Sequence, residues 1–300
     1  MTRKKKEKIV ADSVYAAEKR GQFKTVALRF RKNKLAMAGL IFLVILLILS
    51  LSLDLFMNYE EDALAQNVRN RNQGFSAEHP LGTDQFGRDM LARILYGARI
   101  SISTTLVVIV IATTISVLIA SVAGYFGGWV DNLIMRIMDI FYALPFNLMA
   151  VCIVASLGVG IVNLGLACVI GIMPGFVRVF RSYVLPLRNQ EYIEAAKNCG
   201  TGHFRILTKH IIPNAIGPII VQATLELSNT MIAISGLSFI GLGVAAPTPE
   251  WGLMLSEGTE YMLNYPHLVL VPGIAIVLVA MAMNLLGDGL RDALDPKLKN

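Results

Sequence analysis

Six long apolar runs, separated by polar segments, set the pattern of the chain. Each has about 17 residues or more, which is enough to cross the roughly 30 Å hydrocarbon layer of a bilayer as a helix. Because a spanning segment must satisfy its own backbone hydrogen bonds, the pattern predicts an all-α integral membrane protein with six transmembrane helices. The predicted spans are Leu35–Leu53, Ile100–Tyr125, Leu133–Ser156, Ile161–Val177, Ala215–Leu237 and His267–Leu286.

The polar segments divide the chain into parts with different expected roles. We expect a basic tail (1–34), a first transmembrane helix (35–57), an external loop (58–99), a core of five transmembrane helices (100–287) and a short second tail (288–300). The core includes a polar loop at 178–213.

Two predicted spans carry features that affect packing. In the second span, small residues recur at every fourth position, a spacing that favours close helix contact in lipid. They are Ala112, Ser116, Ala120 and Gly124. In the third span, Pro145 removes a backbone hydrogen bond, so we expect a kink there.

The polar loop Arg178–Pro213 is too polar to span a bilayer, yet it has a helical pattern. Glu191–Cys199 contains neither Pro nor Gly and predicts one short helix. Apolar residues at helical spacing in Phe204–Ile211 predict a second. The loop is therefore expected to form two short helices joined by a tight turn at Gly200–Gly202.

The first of these short helices has features that suit binding by another protein. Ala195 and Ala196 have small side chains, so a partner could approach the backbone closely, and Glu194 places a charge beside them. The alternative is a loop helix that packs only against its own protein.

Composition and charge support a membrane protein and give it an orientation. The chain is 55% hydrophobic and 16% charged, with a net charge of +6. Residues 1–34 contain twelve Lys and Arg and 178–213 contain six, whereas 238–266 contain none. Since positive residues collect on the cytoplasmic side, both termini and the polar loop are expected there. The segments 54–99 and 238–266 are expected to face outward.

Several other functions lack the sequence features that they need. The basic tail has no interleaved aromatic residues, so contact with anionic lipid is favoured over nucleic acid. Cys152, Cys168 and Cys199 are scattered, which argues against a disulfide framework or a zinc site. The chain has no G-x-x-x-x-G-K-[ST] loop for ATP and no H-E-x-x-H or G-x-S-x-G motif, so we expect no catalysis by this chain.

The polar loop carries a specific resemblance. Glu194–Ala196, followed by Gly200 and then by Pro213, resembles the EAA loop of permease subunits in binding-protein-dependent ABC importers. His210 and Ile212 depart from the family pattern, where Ile and Leu are usual. The resemblance implies that the helix beginning at Glu191 is a coupling helix that sits in a cleft of an ATPase subunit.

A second resemblance covers most of the chain, from about residue 26 to 296. Its motifs are similar to those of the C-type permease of dipeptide, oligopeptide and nickel importers. They are His79–Asp84, Phe86–Asp89, Gly97–Ser101, Gly124–Asp131, Leu237–Gly243 and Pro247–Gly252. One departure is that Ile234–Gly236 lacks the acidic residue that often precedes the Leu-Ser-Phe motif. The resemblance implies a type I ABC importer permease in a bacterial cytoplasmic membrane.

The resemblance also implies partners and leaves the substrate open. A B-type permease, two ABC ATPase subunits and an extracytoplasmic substrate-binding protein are implied, with ATP and Mg bound by the ATPase subunits and no cofactor bound by this chain. Peptides are favoured as substrate, and nickel or another small solute is the alternative. A stand-alone secondary transporter is a further alternative, although it would predict inverted repeats and no docking loop.

Glu226 is the most distinctive polar residue in the late spans. An unpaired carboxylate is costly in hydrocarbon, so it should face the bundle interior or a water-filled path. Gln222 and Thr230 share its helical face, and Asn229 lies beside it in sequence. These four residues are the predicted translocation path. A polar contact with the partner permease is the alternative.

Charged and aromatic residues near the predicted membrane edges have simpler interpretations. Asp131, Arg136 and Asp139 are expected to form a structural clamp, in which Arg136 and Asp139 can pair along one helix face. A role in transport is the alternative. Trp251 and the tyrosines near it have the character of membrane-interface residues.

Overall fold

The computed structural model describes residues 26–294. The predicted tails at 1–34 and 288–300 therefore lie partly outside the described residues. A first helix, α1, covers 26–32. The other α-helices are α2 (Lys34–Ser52), α3 (Met90–Phe126), α4 (Gly128–Tyr142), α5 (Phe146–Leu157), α6 (Ile161–Arg188), α7 (Glu191–Asn198), α8 (His203–Ile206), α9 (Ile212–Phe239), α10 (Trp251–Thr259) and α11 (His267–Leu294).

The helical segments long and apolar enough to cross a membrane match the six predicted runs. Five of them are single segments, built on α2, α3, α6, α8–α9 and α11. The sixth is the pair α4 and α5, if the pair is counted as one span, since its two helices meet at 85°. The prediction of an all-α membrane fold is confirmed.

Pro145 breaks the third span instead of kinking it. α4 ends at Tyr142, Pro145 has an extended backbone with ψ 131°, and α5 begins at the next residue. At the expected kink the chain turns by 85°. By contrast, Pro174 and Pro186 lie inside α6 without ending it, so the helix continues from the membrane span through the first part of the polar loop to Arg188.

The centre of the bundle is formed where α3, α6 and α9 pack together. The small residues expected to allow close contact are buried, among them Ala112, Ser116 and Ala120. A β-carbon at Gly124 would lie 2.7 Å from a methyl group of Val184 on α6. The four-residue spacing therefore brings α3 close to α6, as expected.

A second apolar cluster joins α9 to α10 and α11, with α2 packed against α11. It includes the buried residues Met231, Trp251, Leu268 and Met283. Gly39 allows the close approach of α2, because a β-carbon there would lie 2.8 Å from the backbone oxygen of Ala282.

The segment between α2 and α3 is compact although it contains no long helix. It forms short turns of helix at Leu53–Leu55, Tyr59–Leu64 and Val68–Asn70. α3 then begins at Met90, so residues 90–99, expected in the loop, are helical. Its first turn is capped by Asp89, whose carboxylate accepts the Ala92 N–H at 2.8 Å.

Candidate coupling surface and translocation path

The short helix α7 projects from the bundle and is held by one buried residue. Ile193 is fully buried in the central core, whereas Glu191, Glu194 and Ala195 are exposed. Ala196 is half-buried against the core. Of the two alanines expected to admit a partner, only Ala195 therefore lies on the open face.

The turn after α7 has the geometry that the sequence predicts. Gly200 has φ +73°, a conformation that glycine adopts without strain. The Gly200 N–H donates to the Lys197 carbonyl at 2.9 Å, and the Thr201 N–H donates to the Ala196 carbonyl at 3.0 Å. These bonds end α7 and turn the chain into α8, so the two predicted short helices are confirmed.

After α8, a wider helical turn leads into the next span. The turn covers Leu207–Ile211, and α9 follows directly, with Pro213 as its second residue. Ile206 and Ile211 are fully buried. Buried isoleucines in α7, in α8 and in the turn before α9 thus attach the polar loop to the bundle at three points.

The exposed side of these two helices combines carboxylates with apolar groups. We call Glu191, Tyr192, Glu194, Ala195 and Phe204 the docking surface. Phe204 is 80% exposed and places a large apolar side chain on the same surface as the carboxylates. Among residues 26–294, neither carboxylate of the docking surface forms an ion pair. The surface is thus available for an interaction outside this chain.

The predicted path residues on α9 are only partly brought together. Glu226 is half-buried, and its carboxylate accepts a hydrogen bond from the Asn229 amide at 3.4 Å. Thr230 lies one turn from Glu226 on the same side of α9, and its buried hydroxyl has no hydrogen-bond partner among the described residues. Gln222 lies one turn away in the other direction and is also half-buried. Asn229 itself is exposed.

Comparison with known proteins identifies the family of the chain. The sequence profile described as binding-protein-dependent transport system inner membrane component matches residues 116–300, more than half of the chain. The chain belongs to this family. A second profile, the N-terminal TM domain of oligopeptide transport permease C, matches residues 21–74. Together the two profiles cover the end of the basic tail with the first span, and most of the five-helix core.

Relatives of the permease extend this result over nearly the whole chain. It is 44% identical over 274 residues to the dipeptide transport system permease protein DppC of Alkalihalophilus pseudofirmus, covering 91% of this chain and 89% of the relative. It is 41% identical over 271 residues to the glutathione transport system permease protein GsiD of Escherichia coli O6:K15:H31, covering 90% and 89%. The C-type permease resemblance is therefore confirmed.

A solved structure supports the fold. A chain of the inward-facing MetNI methionine ABC transporter aligns with a TM-score of 0.56 at 18% identity, covering 69% of this permease and 98% of that chain. At this level of identity the structural similarity is evidence for the fold alone. The permease has the type I ABC importer fold.

The two acids of the predicted clamp form ion pairs, but not with Arg136. Asp131 pairs with Arg181, which donates from Nε and Nη2 to its two oxygens. Asp139 pairs with Arg178 at 2.7 Å. The expected pairing of Arg136 with Asp139 is wrong. The true partners lie on α6, which packs against α4 and so brings arginines distant in sequence within reach.

At the N-terminal end of α3, charged residues form a buried cluster that the sequence did not predict. We call residues 79–93 together with 247–258 the charged cap. Arg88 and Arg93 are each 1% exposed. Arg88 pairs with Asp84 at 2.5 Å and with Glu257 at 3.1 Å. Arg93 lies 3.4 Å from Asp84 and 3.5 Å from Glu257. Two arginines and two acids thus compensate one another in the interior.

Arg93 also ties separate segments of the chain together. Its Nη1 donates to the backbone carbonyls of Ala63 at 3.1 Å and Pro247 at 3.0 Å. The nearby Tyr59 ring is partly buried, and burial raises the pKa of its hydroxyl, an effect that the positive charge of Arg93 opposes. The signal for this cluster in the sequence was the Asp84–Arg88 spacing of four residues, which alone does not reveal Glu257.

Trp251 belongs to the interior of the charged cap, so its assignment to a membrane interface is wrong. It is fully buried, and its indole N–H donates to the Ile94 carbonyl at 2.9 Å. A β-carbon at Gly97 would lie 2.8 Å from its ring. The preceding residue, Glu250, caps α10 by accepting the N–H groups of Gly252 and Leu253. Tryptophan here fastens α10 to α3.

Proposed function

We propose that this permease is a subunit of an ATP-driven importer of peptides and forms half of its translocation pathway. The relatives support peptides as the substrate class, since their names refer to dipeptide and to glutathione, itself a short peptide. Nickel or another small solute is the alternative. The chain itself carries out no catalysis; it binds no cofactor, and ATP and Mg are bound by partner ATPase subunits.

One observation carries the coupling role. α7 is fixed to the bundle by Ile193, while the side chains of Glu194 and Ala195 are exposed. The Glu194 carboxylate forms no ion pair or side-chain hydrogen bond among residues 26–294. A helix that is rigidly attached at its inner side and open at its outer side transmits a force applied by a partner. The residues of this role are Glu191, Glu194, Ala195, Ala196, Gly200 and Pro213, with Gly200 and Pro213 shaping the loop.

The remaining parts of the proposal rest on the family of the chain and on the distribution of its basic residues. Two ATPase subunits, a B-type permease and an extracytoplasmic binding protein complete the assembly. Both termini and the docking surface face the cytoplasm of a bacterial cell, the charged cap faces outward, and the basic tail meets anionic lipid. ATP binding drives transport only if the ATP-bound partner favours one arrangement of the permease over the other.

The docking role is tested by purifying the full complex in mild detergent and identifying its components by mass spectrometry. The Glu194→Arg variant is expected to lose the ATPase subunits at least tenfold relative to the wild type, while the second permease is retained. Gly200→Trp should act in the same direction, because only glycine takes φ +73° easily.

The matched control is Glu260→Arg, the same charge reversal at an exposed acid near the charged cap. It should retain every component. ATPase subunits that remain bound to Glu194→Arg, or that are lost equally from Glu260→Arg, would contradict the docking role.

The path formed by Gln222, Glu226, Asn229 and Thr230 is tested separately. A half-buried carboxylate in a membrane span should face water or a polar substrate. Glu226→Gln is expected to change peptide uptake by proteoliposomes severalfold while the complex still assembles. Asp288→Asn is a suitable control, because it removes a carboxylate charge at an exposed position on α11, outside the predicted path. Unchanged uptake in Glu226→Gln would show that Glu226 is not part of the translocation path.

A further inference from the structure

Tyr125, at the end of α3, contacts both short helices of the polar loop. Its side chain is buried, and the Lys197 ammonium of α7 lies 5.4 Å from the centre of its ring. Its hydroxyl is 2.7 Å from Nδ1 of His203 in α8, and the two rings stand edge to face at 5.6 Å. One residue of a membrane-spanning helix therefore touches the loop on both sides of the Gly200 turn.

The residues next to Tyr125 extend the contact to two more helices. The Phe126 ring lies 5.5 Å from His203. Gly127, with φ +64°, ends α3 and leads directly into α4. A β-carbon at Gly127 would overlap the guanidinium of Arg188, the last residue of α6. α3, α4 and α6 thus meet just before α7 begins.

The Tyr125–His203 hydrogen bond is better suited to positioning the loop than to holding the fold together. His203 is exposed, so water can replace the tyrosine hydroxyl at its ring nitrogen. The buried Tyr125 ring keeps its packing if only the hydroxyl is removed. With the imidazole proton on Nε2, the hydroxyl donates to Nδ1, which fixes the orientation of the start of α8.

We propose that Tyr125 and His203 are positioning residues that transmit movement of the docking surface to α3. The inference rests on the proposed docking function. A partner that displaces α8 displaces His203, and the hydrogen bond carries that displacement to the end of α3 and to the Gly127 turn that begins α4. Without the hydrogen bond, the ATPase subunits still bind and hydrolyse ATP, but less of the movement reaches the membrane-spanning helices.

The experiment compares ATP hydrolysis and transport in the full complex, reconstituted in proteoliposomes with the binding protein and labelled dialanine. Tyr125→Phe is expected to retain the ATPase subunits and to hydrolyse ATP within twofold of the wild type. The amount of dialanine transported per ATP hydrolysed should fall at least threefold. His203→Ala should show the same loss, and the double variant should show no further loss, because both changes remove one interaction.

Two further variants test whether the loss is specific to the Tyr125–His203 hydrogen bond. His203→Asn, whose amide oxygen can accept near the position of Nδ1, should restore the transport ratio to within twofold of the wild type. Tyr183→Phe removes a hydroxyl at the same end of the bundle that has no hydrogen-bond partner among residues 26–294, and it should leave the ratio unchanged. A loss of the ratio in Tyr183→Phe equal to that in Tyr125→Phe would contradict a specific role for Tyr125.

The outcomes also separate this inference from the docking role. An unchanged ratio in Tyr125→Phe, while Glu194→Arg loses the ATPase subunits, overturns only the positioning role. A parallel loss of assembly and hydrolysis in Tyr125→Phe overturns it as well, because that is a folding defect. ATPase subunits that remain bound to Glu194→Arg would overturn both proposals.

Discussion

The charged cap and the docking surface lie at opposite ends of α3, and they differ in whether their charged side chains are buried and paired. In the cap, Arg88 and Arg93 are each 1% exposed and are paired with Asp84 and Glu257. On the docking surface, Glu194 is exposed and forms no ion pair within the part of the chain that the structure describes. Both regions are polar segments between apolar spans, so composition alone does not distinguish them.

The difference shows what each region contributes. Buried charges that compensate one another cannot be removed singly without leaving an unpaired charge in the interior, so the cap is part of the architecture. Exposed charges add little to stability, so those of the docking surface are free to serve an interaction. Substitutions in the two regions should therefore separate folding from assembly.

The largest effect on stability is expected from Arg93→Met in the charged cap. The change leaves Glu257 with one arginine instead of two and frees the carbonyls of Ala63 and Pro247. We expect the free energy of unfolding to fall by about 3–5 kcal/mol. The measurement is thermal unfolding of the purified permease in detergent.

Arg99→Met is the matched control for Arg93→Met. Arg99 pairs with Asp54 at 3.1 Å, but both side chains are about half exposed. Such a pair contributes about 1 kcal/mol or less. Equal losses of stability in the two variants would mean that burial of the cap charges has no special importance.

A smaller effect is expected from Gly97→Ala, which tests the contact between α3 and Trp251. The new methyl group would lie 2.8 Å from the indole ring, so the ring or the helix must shift. Overpacking of this kind costs about 1–3 kcal/mol. Gly236→Ala is the control, because a β-carbon there meets nothing within 4 Å. Thermal unfolding should separate the two, and equal stability would show that α10 is not held by this contact.

The smallest effect on stability is expected from Ala195→Leu on the docking surface. An exposed substitution should change the free energy of unfolding by about 0.5 kcal/mol or less. The larger side chain should nevertheless lower recovery of the ATPase subunits at least threefold, since it blocks close approach to the backbone. Ala77→Leu, at an exposed position near the charged cap, should change neither quantity. A loss of stability in Ala195→Leu without loss of the ATPase subunits would mean that Ala195 serves folding and not docking.

The spans and the docking helices could be predicted from the sequence because their signals are local. The first apolar run, Leu35–Leu53, corresponds to α2 at Lys34–Ser52 with a shift of one residue at each end. Gly200 marked the turn between α7 and α8. Neither inference needs knowledge of which helices are neighbours.

The contacts between helices could not be predicted, because they depend on packing. Asp139 has Arg136 one turn away in sequence, yet its partner is Arg178 on another helix. In the sequence, Trp251 has the character of a membrane-interface residue. Only the fold shows that it donates to the Ile94 carbonyl and packs against Gly97. Pro145 marks the position of a break, but the 85° angle depends on what α4 and α5 pack against.

The length of α3 has a mechanical consequence. Its 37 residues correspond to about 55 Å of helix, whereas the hydrocarbon layer is about 30 Å thick. The helix is thus a rod that reaches well beyond the bilayer, capped at one end by Asp89 and held at the other by Tyr125. A tilt of about 10° with one end fixed moves the other end by about 10 Å. A rod of this length is a lever, in which a small rotation at one face of the membrane becomes a large displacement at the other.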